Sequence, residues 1–306
     1  MRIAVLSTEA EQIADRNIAR TQGWPFFDEH DEDGLRAYDP EMVILLGWYV
    51  NDLQRMWKYR WMIAEVPKVV VLWAGSDILQ CYDFLQAGAK QMFKDLKTDR
   101  FCHVPEHEWM KDELKKLFDL DSTDPLVSPV PKVFDKMPTP EEFTASVYSP
   151  MMRSDFYNLP MIGEALDGSD IPSIWYHFAF EYAPVPYKKK CDRRFAITRD
   201  EYEKVIADSS CAVRIPIHDG LSIGAAEFLM AGRPVVTCHD MPRYPKMIKG
   251  ELTAEKVLNA ITRIKNGEFV SDTVQQFYRD LFDPAKYKMR LQERLQTRWG
   301  SLSLDG

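Results

Sequence analysis

The chain has 306 residues, enough for two domains of ordinary size, each able to bury its own core. Hydrophobic residues make up 45% and charged residues 28%, an ordinary globular balance that excludes disordered and fibrous classes. The formal charge of -8 argues against broad electrostatic attraction to nucleic acid or anionic membrane, although a local basic groove would not show in the sum.

The opening "MRIAVLST" has one basic residue and runs straight into a strand, unlike a secretory leader. No run of eighteen apolar residues follows, so no transmembrane segment is expected. Cys81, Cys102, Cys191, Cys211 and Cys238 are scattered, with no C-x-x-C pair, and read as reduced thiols of a cytoplasmic protein.

Along the first 120 residues, "RIAVL" (2–6), "MVILLGW" (42–48) and "KVVVLW" (68–73) are near-continuous apolar runs, as expected of strands covered on both faces of a parallel sheet. Helical candidates lie between and after them, at 51–64 and from Asp77 to Phe93. The alternation predicts a doubly wound α/β unit. Gly47-Trp48-Tyr49 and Gly75-Ser76-Asp77 fall at strand ends, where such sheets bind ligands. Asp77 suits a helix cap equally well, and Trp48 and Tyr49 suit packing. "HVPEHE" (103–108) reads as a solvated turn rather than a metal site, because Pro105 disfavours a helix that would align its histidines.

Residues 121–142 hold five prolines and no glycine, which predicts an extended connector. The expected division is a domain at 1–125, a linker at 126–142, a second domain at 143–275 and a helical tail at 276–306. In the second domain, "ASVYS", "SIWYHFAF", "CAVRI" and "RPVVTC" read as strands. "FYNLPMIGEAL" reads as a helix interrupted by Pro160, and "RDEYEKVIADSS" as an amphipathic helix. "KKKCDRR" (188–194) reads as a solvated basic loop.

The stretch "AVRIPIHDGLSIGAAEFLMAGRPVVTCHD" (212–240) carries the most chemistry. Ser222 is a plausible N-cap and Gly232 a C-terminal stop, with nine residues between them. The start of such a helix offers free N–H groups and a positive dipole end to an anion. Glu227 would sit about 7 Å along it, roughly the reach from a diphosphate to the ribose of one nucleotide. A carboxylate accepts hydrogen bonds from two vicinal hydroxyls, which suits a ribose. Asp219, in the loop before the helix, would face whatever hangs from the other end of the diphosphate.

"HDGLSIGAAEFLMAGRPVV" resembles the donor-binding signature of retaining nucleotide-sugar glycosyltransferases with the GT-B fold. In that family an acid, seven residues and a glutamate precede a Gly-x-Pro-Val strand entry, positions held here by Asp219, Glu227 and Gly232 to Val235. The resemblance implies two Rossmann-like domains facing across a cleft, with the tail crossing back to the first. Glu227 would bind the donor ribose from within that cleft. Asp219, shorter than the family's usual glutamate, would contact sugar hydroxyls. His218 and the backbone of Gly220, Leu221, Ser222 and Ile223 would line the sugar and phosphates, with "Gly-Leu-Ser" in place of the family's Gly-Phe-Gly. The family's usual Lys-Gly pair after the first strand of this domain is missing; Arg153, in "VYSPMMRSDF", is the only basic residue nearby and would neutralise the leaving diphosphate. His218 and Arg153 are also readable as an inconsequential loop histidine and a surface arginine.

Asp77, Trp48 and Tyr49 are the acceptor-side candidates. The donor would be a nucleotide-diphosphate sugar, with no metal and no further cofactor. The Asp-x-Asp of "HDEDG" (30–34) lies in a polar loop, not after a buried strand as in the other large glycosyltransferase fold. The expected acceptor is a glycan or lipid-linked sugar, with peripheral membrane contact through 51–64. DNA carrying hydroxymethylated bases is the alternative acceptor. A non-catalytic nucleotide-sugar-binding relative and a sugar-phosphate enzyme of the same architecture remain open.

Overall fold

The computed structural model describes residues 1–7, 12–28, 30–48, 62–86, 93–150, 154–178, 191–219, 221–268 and 270–304. The chain divides into two compact units, Met1–Lys132 with Leu281–Gly306, and Val133–Asp280.

The first unit is built on a parallel sheet of order β2-β1-β3-β4-β5. Its strands are β1 (Ile3–Leu6), β2 (Phe26–Phe27), β3 (Met42–Leu46), β4 (Lys68–Trp73) and β5 (Phe101–Pro105). All of β1 and β3 and nearly all of β4 are buried, which is why they read as unbroken apolar runs rather than alternating ones. Helices α1 (Gln12–Gln22), α2 (Glu32–Tyr38), α3 (Ser76–Gln86) and α4 (Glu108–Glu113) follow β1, β2, β4 and β5. The Asp-x-Asp of "HDEDG" opens α2: Asp31 is its N-cap and accepts from the Gly34 amide at 3.1 Å. Most of the candidate helix 51–64 lies outside the described residues, and its described end, Met62 and Ile63, is buried in the core.

The structure corrects the solvated reading of "HVPEHE". His103 lies in the middle of buried β5, with Trp73 Nε1 donating to its Nδ1 at 3.2 Å and its Nε2 facing the Leu96 carbonyl at 2.8 Å. Pro105 is tolerated because it closes an edge strand, where a missing donor interrupts no ladder. His107 is instead the N-cap of α4.

The second unit has a parallel sheet of order β10-β9-β6-β7-β8. Its strands are β6 (Ala145–Tyr148), β7 (Ser173–His177), β8 (Cys191–Phe195), β9 (Cys211–Val213) and β10 (Val235–Val236). The helices are α5 (Leu159–Asp167), α6 (Arg199–Asp208), α7 (Ile223–Met230), α8 (Ala254–Lys265) and α9 (Asp272–Leu281). Pro160 does not interrupt α5; it stands in the first turn, where its missing N–H has no intrahelical partner to lose. The described end of the "KKKCDRR" run is likewise not a loop but edge strand β8, whose charged side chains reach water beside an unpaired edge.

Two arginines sew the connector onto this unit. Arg233 is buried and donates to the carbonyls of Ile206, Ala207, Met137 and Pro138, and Arg279 donates to those of Phe134 and Met230. The tail helix α10 (Pro284–Trp299) packs on the first unit, where Gln22 donates to the Pro284 carbonyl and Trp299 to that of Asp99. Among the described residues no helix is long and apolar enough to cross a membrane.

Burial lowers the pKa of His103 to about 4, against an ordinary value near 6.5. Below pH 6.5 the unfolded chain takes up a proton that the folded chain refuses until about pH 4, so stability falls as pH drops through that window. The slope is at most about 1.4 kcal/mol per pH unit. Urea unfolding followed by tryptophan fluorescence at pH 7, 6 and 5 is expected to show this loss, and His103→Gln to flatten it.

Candidate functional site

Open parallel sheets bind ligands beyond the carboxyl ends of their strands, where the strand order reverses. In the second sheet that point lies between β6 and β9. The register aligns Tyr148 with Tyr176 on β7 and, one step past the Val147–Val213 pair, with Arg214 at the end of β9. The Arg214 guanidinium stands over the rings of Tyr148 and Tyr157, 5.8 and 5.2 Å from their centroids.

Asp219 meets Arg214 in a bidentate pair, with Nε to Oδ2 at 2.7 Å and Nη2 to Oδ1 at 3.0 Å. Both side chains are 18% exposed. Burial alone would pull the Arg214 pKa down, but the Asp219 charge and the Tyr157 ring turn the shift upward, so the arginine is firmly charged. The loop between them is pinned by Asn158, whose Nδ2 donates to the Ile215 carbonyl at 2.7 Å, and by His239, whose ring nitrogen meets the Pro216 carbonyl at 2.7 Å.

Helix α7 begins where the sequence signal places it: the Ser222 hydroxyl accepts from the Ala225 amide at 3.2 Å. Gly232 follows its last turn at φ 80°, a backbone conformation that a Cβ disfavours. Its face is buried from Ala225 to Met230, Glu227 included. Sequence reasoning turns the Glu227 carboxylate toward an open ribose site; the structure finds it only 2% exposed and paired with Arg199, Nη2 to Oε1 at 2.6 Å. Burial pushes the Glu227 carboxyl up, while Arg199 pulls it back. Arg199 rests over the rings of Phe134 and Tyr202, at 5.3 and 5.2 Å, and keeps 33% of its side chain in solvent. Tyr202 packs edge-on to Phe228 and against Tyr176 and Phe178, an exposed aromatic just past β7.

The structure therefore gathers Asp219, Leu221, Ser222, Ile223 and Glu227 around one helix start, with His218 half-buried in the loop before it. Arg153, Gly220 and Tyr49 lie outside the described residues. In the first unit Asp77 is fully buried, accepting from the amides of Gly75, Ile78 and Trp48 at 2.8, 3.0 and 3.1 Å. It ties the ends of β3 and β4 together, and Trp48 is packed edge-on against Phe101 in the core. Among the described residues no group of three or more His, Cys, Asp or Glu is placed to hold a metal ion.

Arg199 and Arg214 were not singled out from the sequence, although each leaves a trace there. Arg199 opens a helix, where the dipole disfavours a cation unless a partner compensates. Arg214 is the one charge in the apolar run "CAVRI".

No protein-family model matches the chain, and no curated protein does. Solved structures do. Sucrose-phosphate synthase from Thermosynechococcus elongatus matches with a TM-score of 0.72 at 8% identity, over 98% of this chain and 99% of that one. T4 phage BGT in complex with UDP and Mn2+ matches with a TM-score of 0.57 at 12% identity, over 97% and 99%. TarM matches with a TM-score of 0.54 at 12% identity over 88% of this chain, which spans 57% of TarM's length. These likenesses define the fold as GT-B, with two parallel-sheet α/β units.

Breaking a buried ion pair from one side costs about 3–5 kcal/mol, and the partial exposure of Arg199 softens this. Glu227→Ala is expected to lose about 2–4 kcal/mol in urea unfolding, and Glu227→Ala with Arg199→Met clearly less than the sum of the two single changes. Strict additivity would mean the pair carries no coupling.

Proposed function

We propose that the chain is a glycosyltransferase that moves a sugar from a nucleoside-diphosphate sugar to a hydroxyl acceptor. The observation that carries this is the placement of Asp219 and Glu227 at either side of a capped helix start, beside the strand-order reversal of a GT-B unit. Nucleotides are described in several of the matched structures, among them T4 phage BGT with its UDP-glucose substrate and Anabaena HepE with UDP.

In this reading the second unit holds the donor. Glu227 receives the ribose hydroxyls on its second oxygen, while Arg199 holds the first and fixes the carboxylate's orientation. Asp219 contacts sugar hydroxyls. The amides opening α7 receive the diphosphate, and the charge of Arg153, carried over from the sequence resemblance, stabilises it as it leaves. The transfer retains anomeric configuration: the acceptor oxygen bonds to the anomeric carbon as the diphosphate departs, and a phosphate oxygen takes the acceptor proton. No metal ion is needed for this.

Glu227→Gln keeps the shape of the side chain and removes its charge. It is expected to weaken donor binding in calorimetric titration by roughly 1.5–3 kcal/mol, the worth of hydrogen bonds to a charged group, in a protein that still unfolds cooperatively. Unchanged affinity would remove Glu227 from the donor site.

The acceptor proposed is a glycan or lipid-linked sugar. A second reading, transfer to hydroxymethylated bases of DNA, is favoured by the likeness to T4 phage BGT, described as a DNA-modifying β-glucosyltransferase. Labelled donor is to be offered, in EDTA, with anionic vesicles carrying lipid-linked sugar, plain DNA and DNA containing hydroxymethylcytosine. Label in the vesicles alone is expected. Label in hydroxymethylated DNA alone reverses the order of the two readings, and activity restored only by Mg2+ or Mn2+ overturns the metal-free mechanism.

A further inference from the structure

Both acids of the signature are engaged by an arginine, but the two pairs differ. Glu227 shares one oxygen with Arg199, whereas Asp219 gives both of its oxygens to Arg214. An aspartate held in that way has one lone pair of each oxygen engaged and is only 18% exposed, which narrows what it can offer a sugar hydroxyl. The same fork that grips a carboxylate also fits two oxygens of a phosphate.

The position of Arg214 adds weight. Its guanidinium lies at the carboxyl end of β9, at the strand-order reversal, and two tyrosine rings line its approach. Asp219 reaches back to it from the loop just before the capped start of α7, so a carboxylate occupies the fork of a guanidinium that also fits phosphate oxygens. At the end of neighbouring β6, the Ser149 hydroxyl is fully buried and has no hydrogen-bond partner among the described residues. A buried hydroxyl left in that state is costly unless a ligand completes it.

We infer that Arg214 is a diphosphate-binding residue whose fork is held by Asp219 until the donor arrives, and that the diphosphate displaces Asp219 and frees it for the sugar. This rests on the donor reading above and deepens it. One exchange then does two things. The guanidinium passes from a carboxylate to a diphosphate carrying more charge, and Asp219 acquires free acceptor oxygens only when a sugar is present to use them. Asp219 is thus a competitor of the bare nucleotide and a contact of the sugar-bearing one.

The test is calorimetric titration of the folded protein with UDP, GDP and ADP, and with the sugar-bearing form of whichever binds. Thermal unfolding controls for folding. Asp219→Asn removes the competitor and is expected to tighten the bare nucleotide by about 3- to 30-fold while lowering turnover with the sugar donor. A merely structural aspartate would give no tightening. Arg214→Lys keeps the charge but loses the fork; it is expected to weaken bare nucleotide and sugar donor alike, by about 10-fold or more, and to abolish the gain from Asp219→Asn in the double variant. Bare-nucleotide affinity unchanged or weakened in folded Asp219→Asn overturns the exchange. If that variant does not fold, Arg214→Lys decides: loss on bare nucleotide supports the phosphate contact, and loss confined to the sugar donor overturns it. Binding of none of the three nucleotides by the unaltered protein overturns the donor reading and this inference with it.

Discussion

A carboxylate removed from water must be met by a positive charge or by several N–H groups, and three buried or half-buried acids meet that demand in three ways. Asp77 is answered by three backbone amides and joins two strand ends. Glu227 is answered on one oxygen by an arginine that stays in touch with solvent. Asp219 is answered on both oxygens by an arginine at a strand end. Burial is similar in kind; the partners differ in how many oxygens they engage and in whether they reach solvent.

The aromatic residues around these pairs set their geometry. Tyr148, Tyr157, Tyr202 and Phe134 present ring faces to the two guanidinium groups and restrict where each can point. Such rings cost little conformational freedom to immobilise and exclude water from the ion pairs, which strengthens the pairing and any later exchange of partners. The connector arginines Arg233 and Arg279 work differently. They bind only carbonyls in the contacts described: Arg233 satisfies the end of α6 and Arg279 the end of α7, and both tie the proline-rich segment to the unit that holds the candidate site.

Much of the candidate site was legible in the chain because its determinants are local. A serine that caps, a glycine that must take positive φ, and two acids at a fixed spacing, one before the helix and one in it, are all properties of a short run of residues. Arg199 and Arg214 were missed because their meaning is not local. Arg199 is 28 residues from Glu227, and nothing in "RDEYEKV" names the carboxylate it meets. The errors at His103 and at the basic run ending in β8 share one cause. Polar residues were read as solvated, although an edge strand can carry charge outward and a buried histidine is stable when both ring nitrogens have partners.

By itself, the sequence determined the parallel α/β class, because unbroken apolar runs alternating with helical periods can be buried in few other ways. It also determined the start and stop of α7 and the placing of one acid before it and one within it, since caps and helical rise act over a few residues. Only the tertiary structure decided the strand orders, the position of the reversal point between β6 and β9, and the partner of each acid. Those depend on which strands lie side by side and which loops they bring together, and pairing across tens of residues leaves no periodic trace in the chain.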